Sequence, residues 1–88
     1  MRLVLTGIDE DGDRWVMVEK EGRFYAGVSD GSYEENARSA AHYIKQSIAA
    51  GESQTLASTI IDARYHETRF RYLSEEAENM LFSVEMKK

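Results

Sequence analysis

Three short strand-like segments joined by two tight turns constrain the fold of this chain more than any other feature. Arg2–Ile8, Arg14–Lys20 and Arg23–Val28 are rich in Val, Leu, Trp, Phe and Tyr, which favour strands. The acidic run 9–13 and the pair Glu21-Gly22 separate them, and both have the composition of hairpin turns. The sequence therefore predicts a three-stranded antiparallel meander.

The turn lengths also predict the register of this meander. Pairing Ile8 with Arg14, and Lys20 with Arg23, sends alternate side chains to opposite faces of the sheet. One face then carries Leu3, Leu5, Trp15, Met17, Phe24, Ala26 and Val28. The other face carries Val4, Thr6, Ile8, Val16, Val18 and Tyr25. The second face is too apolar to remain in water, so the C-terminal third or a second subunit is expected to cover it.

A long helix is predicted over residues 33–50. Ser32 and Glu35 have the spacing of a capping box, and Gly51 follows the predicted helix end, where Gly is favoured. The apolar residues of this segment form one stripe on a 3.6-residue wheel: Tyr33, Ala37, Ala40, Ala41, Ile44 and Ile48.

The C-terminal third carries a weaker pattern. Residues 56–65 combine helix-like spacing with several β-branched side chains, and the β-branched residues weigh slightly toward a strand. Ser74 before two Glu residues predicts a helix start, and residues 80–86 are interpreted as a final strand. The predicted fold is α+β in a single domain, residues 1–88: an N-terminal meander packed on one long helix, with C-terminal strand and short helix.

Composition excludes several classes of site. The 88 residues include no Cys, which excludes disulfides, thiolate zinc sites and cysteine nucleophiles. No apolar run approaches the roughly 18 residues of a membrane helix, and the start of the chain becomes polar too soon for a signal peptide. We therefore expect a cytoplasmic protein that has no membrane segment and no cofactor.

One motif suggests a catalytic serine. The segment Gly27-Val28-Ser29-Asp30-Gly31 matches the G-x-S-x-G nucleophile elbow, and Asp62 and His66 follow it in the order of a catalytic triad. That elbow requires a large parallel sheet, which 88 residues have no room to build. Ser29 is therefore predicted to be structural, and no enzymatic activity is expected.

Metal sites are not predicted either. An EF-hand loop starting at Asp9 would need Gly at its sixth position and Glu at its twelfth, where the chain has Arg14 and Lys20. His42 is predicted on the surface, and His66 has too few neighbouring ligands for a metal. Residues 9–13 are interpreted as a solvated acidic turn.

Charge is unevenly distributed along the chain. The formal net charge is −5, and residues 1–35 carry 9 acidic and 4 basic side chains. Concentrated negative charge steers a protein toward basic partners, although solubility alone would explain the same acids. The predicted partner-binding residues are Asp9, Glu10, Asp11, Asp13, Glu19, Glu21, Asp30 and Glu34.

Residues 64–72 interleave cations and aromatic rings, a composition typical of platforms for single-stranded nucleic acid. The alternative nucleic-acid-binding residues are Arg64, Arg69, Arg71 and Tyr72. A negatively charged chain repels polyanions at long range. A strand with its Arg side chains outward and its aromatic side chains inward is therefore the preferred interpretation.

Taken together, these patterns favour a small acidic binding protein that docks on a basic protein surface. The expected type is an inhibitor of a nucleic-acid-handling enzyme, such as a phage anti-defence or toxin-neutralising protein. The alternatives are a nucleic-acid-associated module and a homodimeric accessory protein.

Overall fold

The computed structural model describes residues 1–29 and 33–86, with side chains from residue 38 onward in the first helix. Its elements follow the chain in this order: β1 (Arg2–Ile8), β2 (Arg14–Lys20), β3 (Arg23–Val28), α1 (Tyr33–Ala50), α2 (Leu56–Tyr65), β4 (Arg69–Leu73) and α3 (Glu75–Met86). The four strands form one antiparallel sheet in the order β3-β2-β1-β4. The predicted α+β class is confirmed.

The predicted meander is confirmed in its strands and in both turn registers. Ile8 lies opposite Arg14, and Lys20 lies opposite Arg23. One part of the register was wrong, because β1 contains a bulge: Leu3 pairs with Val18 while Leu5 pairs with Met17. The extra residue between them breaks the alternation, as bulges do.

The bulge exchanges the predicted faces of two residues. Val4 is fully buried in the same cluster as Leu5 and Met17. Leu3 shares the face of Val18 and remains 42% exposed. Strict alternation had placed Leu3 with Leu5 and Val4 with Val18.

Helix α1 covers the face of the sheet that contains Val18 and Tyr25, where Ile44 joins them in one buried cluster. Gly27 on β3 makes this packing possible, because a Cβ added there would lie 2.5 Å from the carbonyl oxygen of Ala40. The sequence had predicted that the C-terminal third or a second subunit covers this face. That assignment was wrong, because α1 packs on this face, where Gly27 allows the helix to lie close to β3.

Helices α2 and α3 pack on the opposite face. Leu56 and Ile60 of α2 and Ala77 of α3 are buried in one cluster with Val4, Leu5 and Met17. The two faces are therefore covered by different helices, as the apolar pattern required.

The interpretation of residues 56–65 as a strand was wrong. The hydroxyl of Thr55 accepts a hydrogen bond from the N–H of Ser58 and caps α2. Leu56, Ile60 and Ala63 then fall on one buried side of the helix. The cap and the burial of this side outweigh the β propensity of the branched residues, which is a weak preference.

The predicted final strand at residues 80–86 was also wrong, since this segment continues α3. The predicted helix start is confirmed: the Ser74 hydroxyl accepts a hydrogen bond from the N–H of Ala77 at 3.2 Å. Met80, Leu81 and Val84 are half-buried against the core at helical spacing. The C-terminal part is therefore two helices and one strand.

The predicted end of α1 at Gly51 is confirmed. Gly51 has a φ of 68°, and its N–H donates to the carbonyl of Ile48 while that of Glu52 donates to the carbonyl of Ser47. These two bonds make a Schellman motif. Of the predicted apolar stripe, Ala40 and Ile44 are buried, Ile48 is half-buried and Ala41 is exposed. Ser32 and the side chains of Tyr33, Glu35 and Ala37 lie outside the described part.

Candidate functional site

The β1–β2 turn, residues 9–13, is built around a buried carboxylate. Asp9 is only 8% exposed. Its Oδ1 accepts hydrogen bonds from the backbone N–H groups of Asp11 and Asp13, both at 2.9 Å. Its Oδ2 accepts a bond from the indole N–H of Trp15 at 3.0 Å. The expectation that Asp9 is a solvated acid was therefore wrong, because its carboxylate supplies the internal hydrogen bonds of the turn.

The same turn is attached to the end of α2. The backbone N–H of Glu10 donates to the carbonyl of His66 at 3.1 Å. The His66 ring lies 5.8 Å from the Trp15 ring, centroid to centroid. Glu10 and Asp11 remain exposed. The turn therefore presents two acids from a backbone held by β2 and α2.

Asp9, Asp11 and Asp13 each bring a carboxylate oxygen within 4.8 Å of the others. Such a cluster has the donor type that Ca²⁺ prefers. Both oxygens of Asp9 already accept hydrogen bonds within the turn. We assign no metal to this cluster.

The other predicted acids do not join the turn. Glu19 forms an ion pair with Arg2 at 2.9 Å, and Arg2 also bonds Glu76 of α3. The hydrogen bond from Arg2 lowers the pKa of Glu19, and the two acids raise the pKa of Arg2. Much of the negative charge of Glu19 is thus compensated inside the molecule.

Glu21 lies in the β2–β3 turn, at the far end of β2 from Asp13. The strand between them is seven residues long, which corresponds to about 23 Å. Asp30 lies outside the described residues, as does the side chain of Glu34. Of the eight predicted partner-binding acids, the described structure brings together only those of the β1–β2 turn.

Ser29 has a structural role at the end of β3. It is fully buried, and its hydroxyl oxygen accepts a hydrogen bond from the N–H of Arg14 at 2.9 Å. Its own N–H donates to the carbonyl of Arg14 at 2.9 Å. Asp62 and His66, the other members of the triad pattern, are both exposed. Ser29 thus extends the pairing of β2 and β3 beyond Val28.

The alternative nucleic-acid-binding residues lie on two different elements. Arg64 belongs to α2, and its Nε lies 3.9 Å from a carboxylate oxygen of Glu85 on α3. Arg69, Arg71 and Tyr72 lie exposed on the edge strand β4. The expected outward Arg side chains are therefore present, whereas Tyr72 is half exposed rather than inward.

Sequence reasoning missed a groove between α1 and β1, which we call the α1–β1 groove. It encloses about 570 Å³. Its lining includes Leu3 of β1, Val16 and Val18 of β2, and Ala41 and Ile44 of α1. The bulge in β1 places Leu3 in this lining, and the alternating pattern carries no sign of that bulge. Gly27 was a signal in the sequence for the position of α1, because a Cβ there would block the close approach of the helix.

Comparison with protein families, with curated proteins and with solved structures found no match for this chain. Among the described residues, no helix is long and apolar enough to cross a membrane.

Proposed function

We propose that this protein is a non-enzymatic binding protein that docks on a basic surface of a protein partner through its β1–β2 turn. The observation that carries this proposal is the buried carboxylate of Asp9, which holds the backbone of the turn with three hydrogen bonds. Glu10 and Asp11 are exposed on that backbone. Acids held in place before binding lose less conformational entropy when a partner immobilises them.

The chemistry of the turn indicates the class of partner. Enzymes that handle nucleic acids present Lys and Arg to a polyanion, and a fixed pair of acids on a chain of net charge −5 complements such a surface. The proposed role is therefore an inhibitor of such an enzyme in the cytoplasm, of the phage anti-defence or toxin-neutralising type.

A second candidate function is supported by the edge strand β4. Arg69 and Arg71 are exposed and form no ion pair with another described side chain. Tyr72 is 50% exposed beside them. Two free cations next to a ring are the elements of a stacking site for single-stranded nucleic acid. The net charge of the whole chain disfavours this function.

Affinity capture with two double variants separates these functions. The first variant, Glu10→Gln with Asp11→Asn, removes the two exposed charges of the turn. The second, Arg69→Gln with Arg71→Gln, removes the two charges of β4. The proposal expects basic proteins, identified by mass spectrometry, that the wild type and the β4 variant capture and the turn variant loses. Nucleic acid captured by the wild type and lost with the β4 variant would instead support the second function. Capture of the chain's own copies alone would favour a homodimeric accessory protein.

A further inference from the structure

The α1–β1 groove lies on the half of the sheet face that α1 leaves open. On this face, α1 packs against β3 and β2. Leu3 and Thr6 of β1 line the groove beside α1. Tyr72 of β4 lies opposite Thr6 in the sheet and is half exposed. The described helices α2 and α3 occupy the opposite face, so among the described elements β1 and β4 have no helical cover on this side.

The uncovered part of this face, over β1 and β4, has the width of one helix. Neighbouring strands lie about 4.8 Å apart, and a helix with its side chains is roughly 10 Å wide. One helix therefore covers two strands, as α1 does for β2 and β3. Two helices, α2 and α3, pack on the opposite face of the same four strands. The space over β1 and β4 is therefore wide enough for one further helix beside α1.

Among the described residues, the lining of the groove contains two cations and no acid. Arg14 and Lys45 are part of the groove lining. Lys20 lies at one end, in a smaller depression that shares Lys45 and Ile48 with the groove. Arg69 of β4 lies opposite Ile8 of β1, and it lines a small depression together with the acids Asp9, Glu10 and Glu67. These four cations form no ion pair with another described side chain, although the chain as a whole carries a net charge of −5.

An apolar floor with a cationic rim specifies its occupant by charge complementarity. Grooves of this width bind amphipathic helices through apolar side chains at i, i+3, i+4 and i+7. Acids flanking that apolar stripe would meet Lys45 and Arg14 at the rim. A second copy bound groove to groove would bring the same cations together, and like charges at an interface oppose binding.

We propose that the α1–β1 groove binds an acidic amphipathic helix of a protein partner. The lining of this groove includes no residue of the β1–β2 turn, and the proposal does not depend on the function proposed for the turn. The groove supplies apolar contact along Val16, Val18 and Ile44. Lys45 and Arg14 select for negative charge on the incoming helix.

The test uses a synthetic peptide as the probe. A fluorescein-labelled peptide of about 18 residues forms a helix ~27 Å long, with Leu in the apolar stripe and Glu on both flanks. One control peptide has Lys in place of every Glu. A second has the composition of the first in shuffled order, without the stripe. Fluorescence anisotropy against the wild-type protein is expected to show saturable binding of the acidic amphipathic peptide, at least about tenfold tighter than of either control.

Matched variants then locate the binding site. Ala41 and Ala50 are exposed residues of α1, about 180° apart around the helix, and only Ala41 lines the groove. Ala41→Glu is expected to weaken binding by at least about tenfold, whereas Ala50→Glu changes it by less than about twofold. Lys45→Glu is expected to shift the preference from the acidic peptide toward the Lys peptide. The variant Glu10→Gln with Asp11→Asn is expected to bind the acidic peptide as the wild type does, which separates this test from that of the turn.

Three results would overturn the proposal. The first is equal affinity of the wild type for the acidic and the Lys peptides, or no binding of either. The second is acidic-peptide binding that Ala41→Glu leaves unchanged. The third is a concentration-dependent dimer in sedimentation velocity that Ala41→Glu dissociates and Ala50→Glu does not, since the groove would then be occupied by a second copy.

Discussion

The indole N–H of Trp15 donates a 3.0 Å hydrogen bond to the buried carboxylate of Asp9. This bond joins the first residues of β2 to the turn that precedes them. Because the other oxygen of Asp9 binds two backbone N–H groups, one side chain sets the conformation of the whole turn. The acid at the first position of the turn is structural, and the two acids that follow it directly, Glu10 and Asp11, are exposed.

Asp9→Ala is expected to destabilise the protein by about 3 kcal/mol, since it leaves a buried indole N–H and two backbone N–H groups without their acceptor. Asp11→Ala is the matched control, because Asp11 is exposed in the same turn, and should change stability by less than about 0.5 kcal/mol. Urea denaturation followed by Trp15 fluorescence measures both. Equal midpoints for the two variants would contradict the structural role of Asp9.

Ser29→Ala is expected to lower the free energy of unfolding by roughly 1–2 kcal/mol, because the N–H of Arg14 loses the hydroxyl that accepts its hydrogen bond. Binding to a partner should be unchanged in the fraction that remains folded. Labelling of Ser29 by a fluorophosphonate probe would show instead that its hydroxyl is an accessible, activated nucleophile.

Ile44→Ala is expected to cost about 2–4 kcal/mol, the usual range for truncating a buried aliphatic side chain. Ile44 is buried against Val18 and Tyr25. The neighbouring Lys45 is exposed, and Lys45→Ala should cost under about 0.5 kcal/mol. If chemical denaturation gave both variants the same midpoint, the side of α1 that faces the sheet would be misassigned.

The pair of Glu19 and Arg2 predicts a small dependence of stability on pH. The hydrogen bond from Arg2 lowers the folded-state pKa of Glu19, so its contribution is present above the unfolded-state pKa and is lost as the pH falls through the folded-state pKa. Thermal unfolding should show a lower midpoint for Glu19→Gln than for the wild type at pH 7, with the difference shrinking toward pH 3. A difference that stays constant with pH would contradict an ionic contribution from this pair.

The meander was predictable because each of its determinants is local. Turn length and alternation place Ile8 opposite Arg14 and Lys20 opposite Arg23 without any knowledge of the rest of the chain. The bulge at Val4 was not predictable in this way. It depends on how β1 fits between β2 and β4 and packs against the helices on one face of the sheet, and this tertiary context is absent from a local pattern.

In residues 56–65, by contrast, the signals for a helix were present in the sequence but were outweighed in the prediction. The cap signal, Thr55 three residues before Ser58, was present in the sequence, as was the spacing of Leu56 and Ile60. The β propensity of the branched side chains favoured a strand, whereas burial of one side of the helix stabilises α2. For the candidate site, the sequence located the acidic turn. It could not show that Asp9 is buried, because the acceptor role of its carboxylate depends on the position of Trp15.

Docking through the β1–β2 turn is tested most directly by the rate of association with the captured basic partner. The double variant Glu10→Gln with Asp11→Asn removes two exposed charges and leaves Asp9 in place. Its matched control is Glu21→Gln with Glu52→Gln, which removes the same charge from exposed acids outside the turn.

Exposed charges at an interface act mainly on the encounter of the two proteins. In stopped-flow measurements at low salt, the turn variant is therefore expected to associate at least about threefold more slowly than the control variant and to lose much of its salt dependence. Association rates that are equal for the turn variant and the control variant at low salt would contradict docking through the turn.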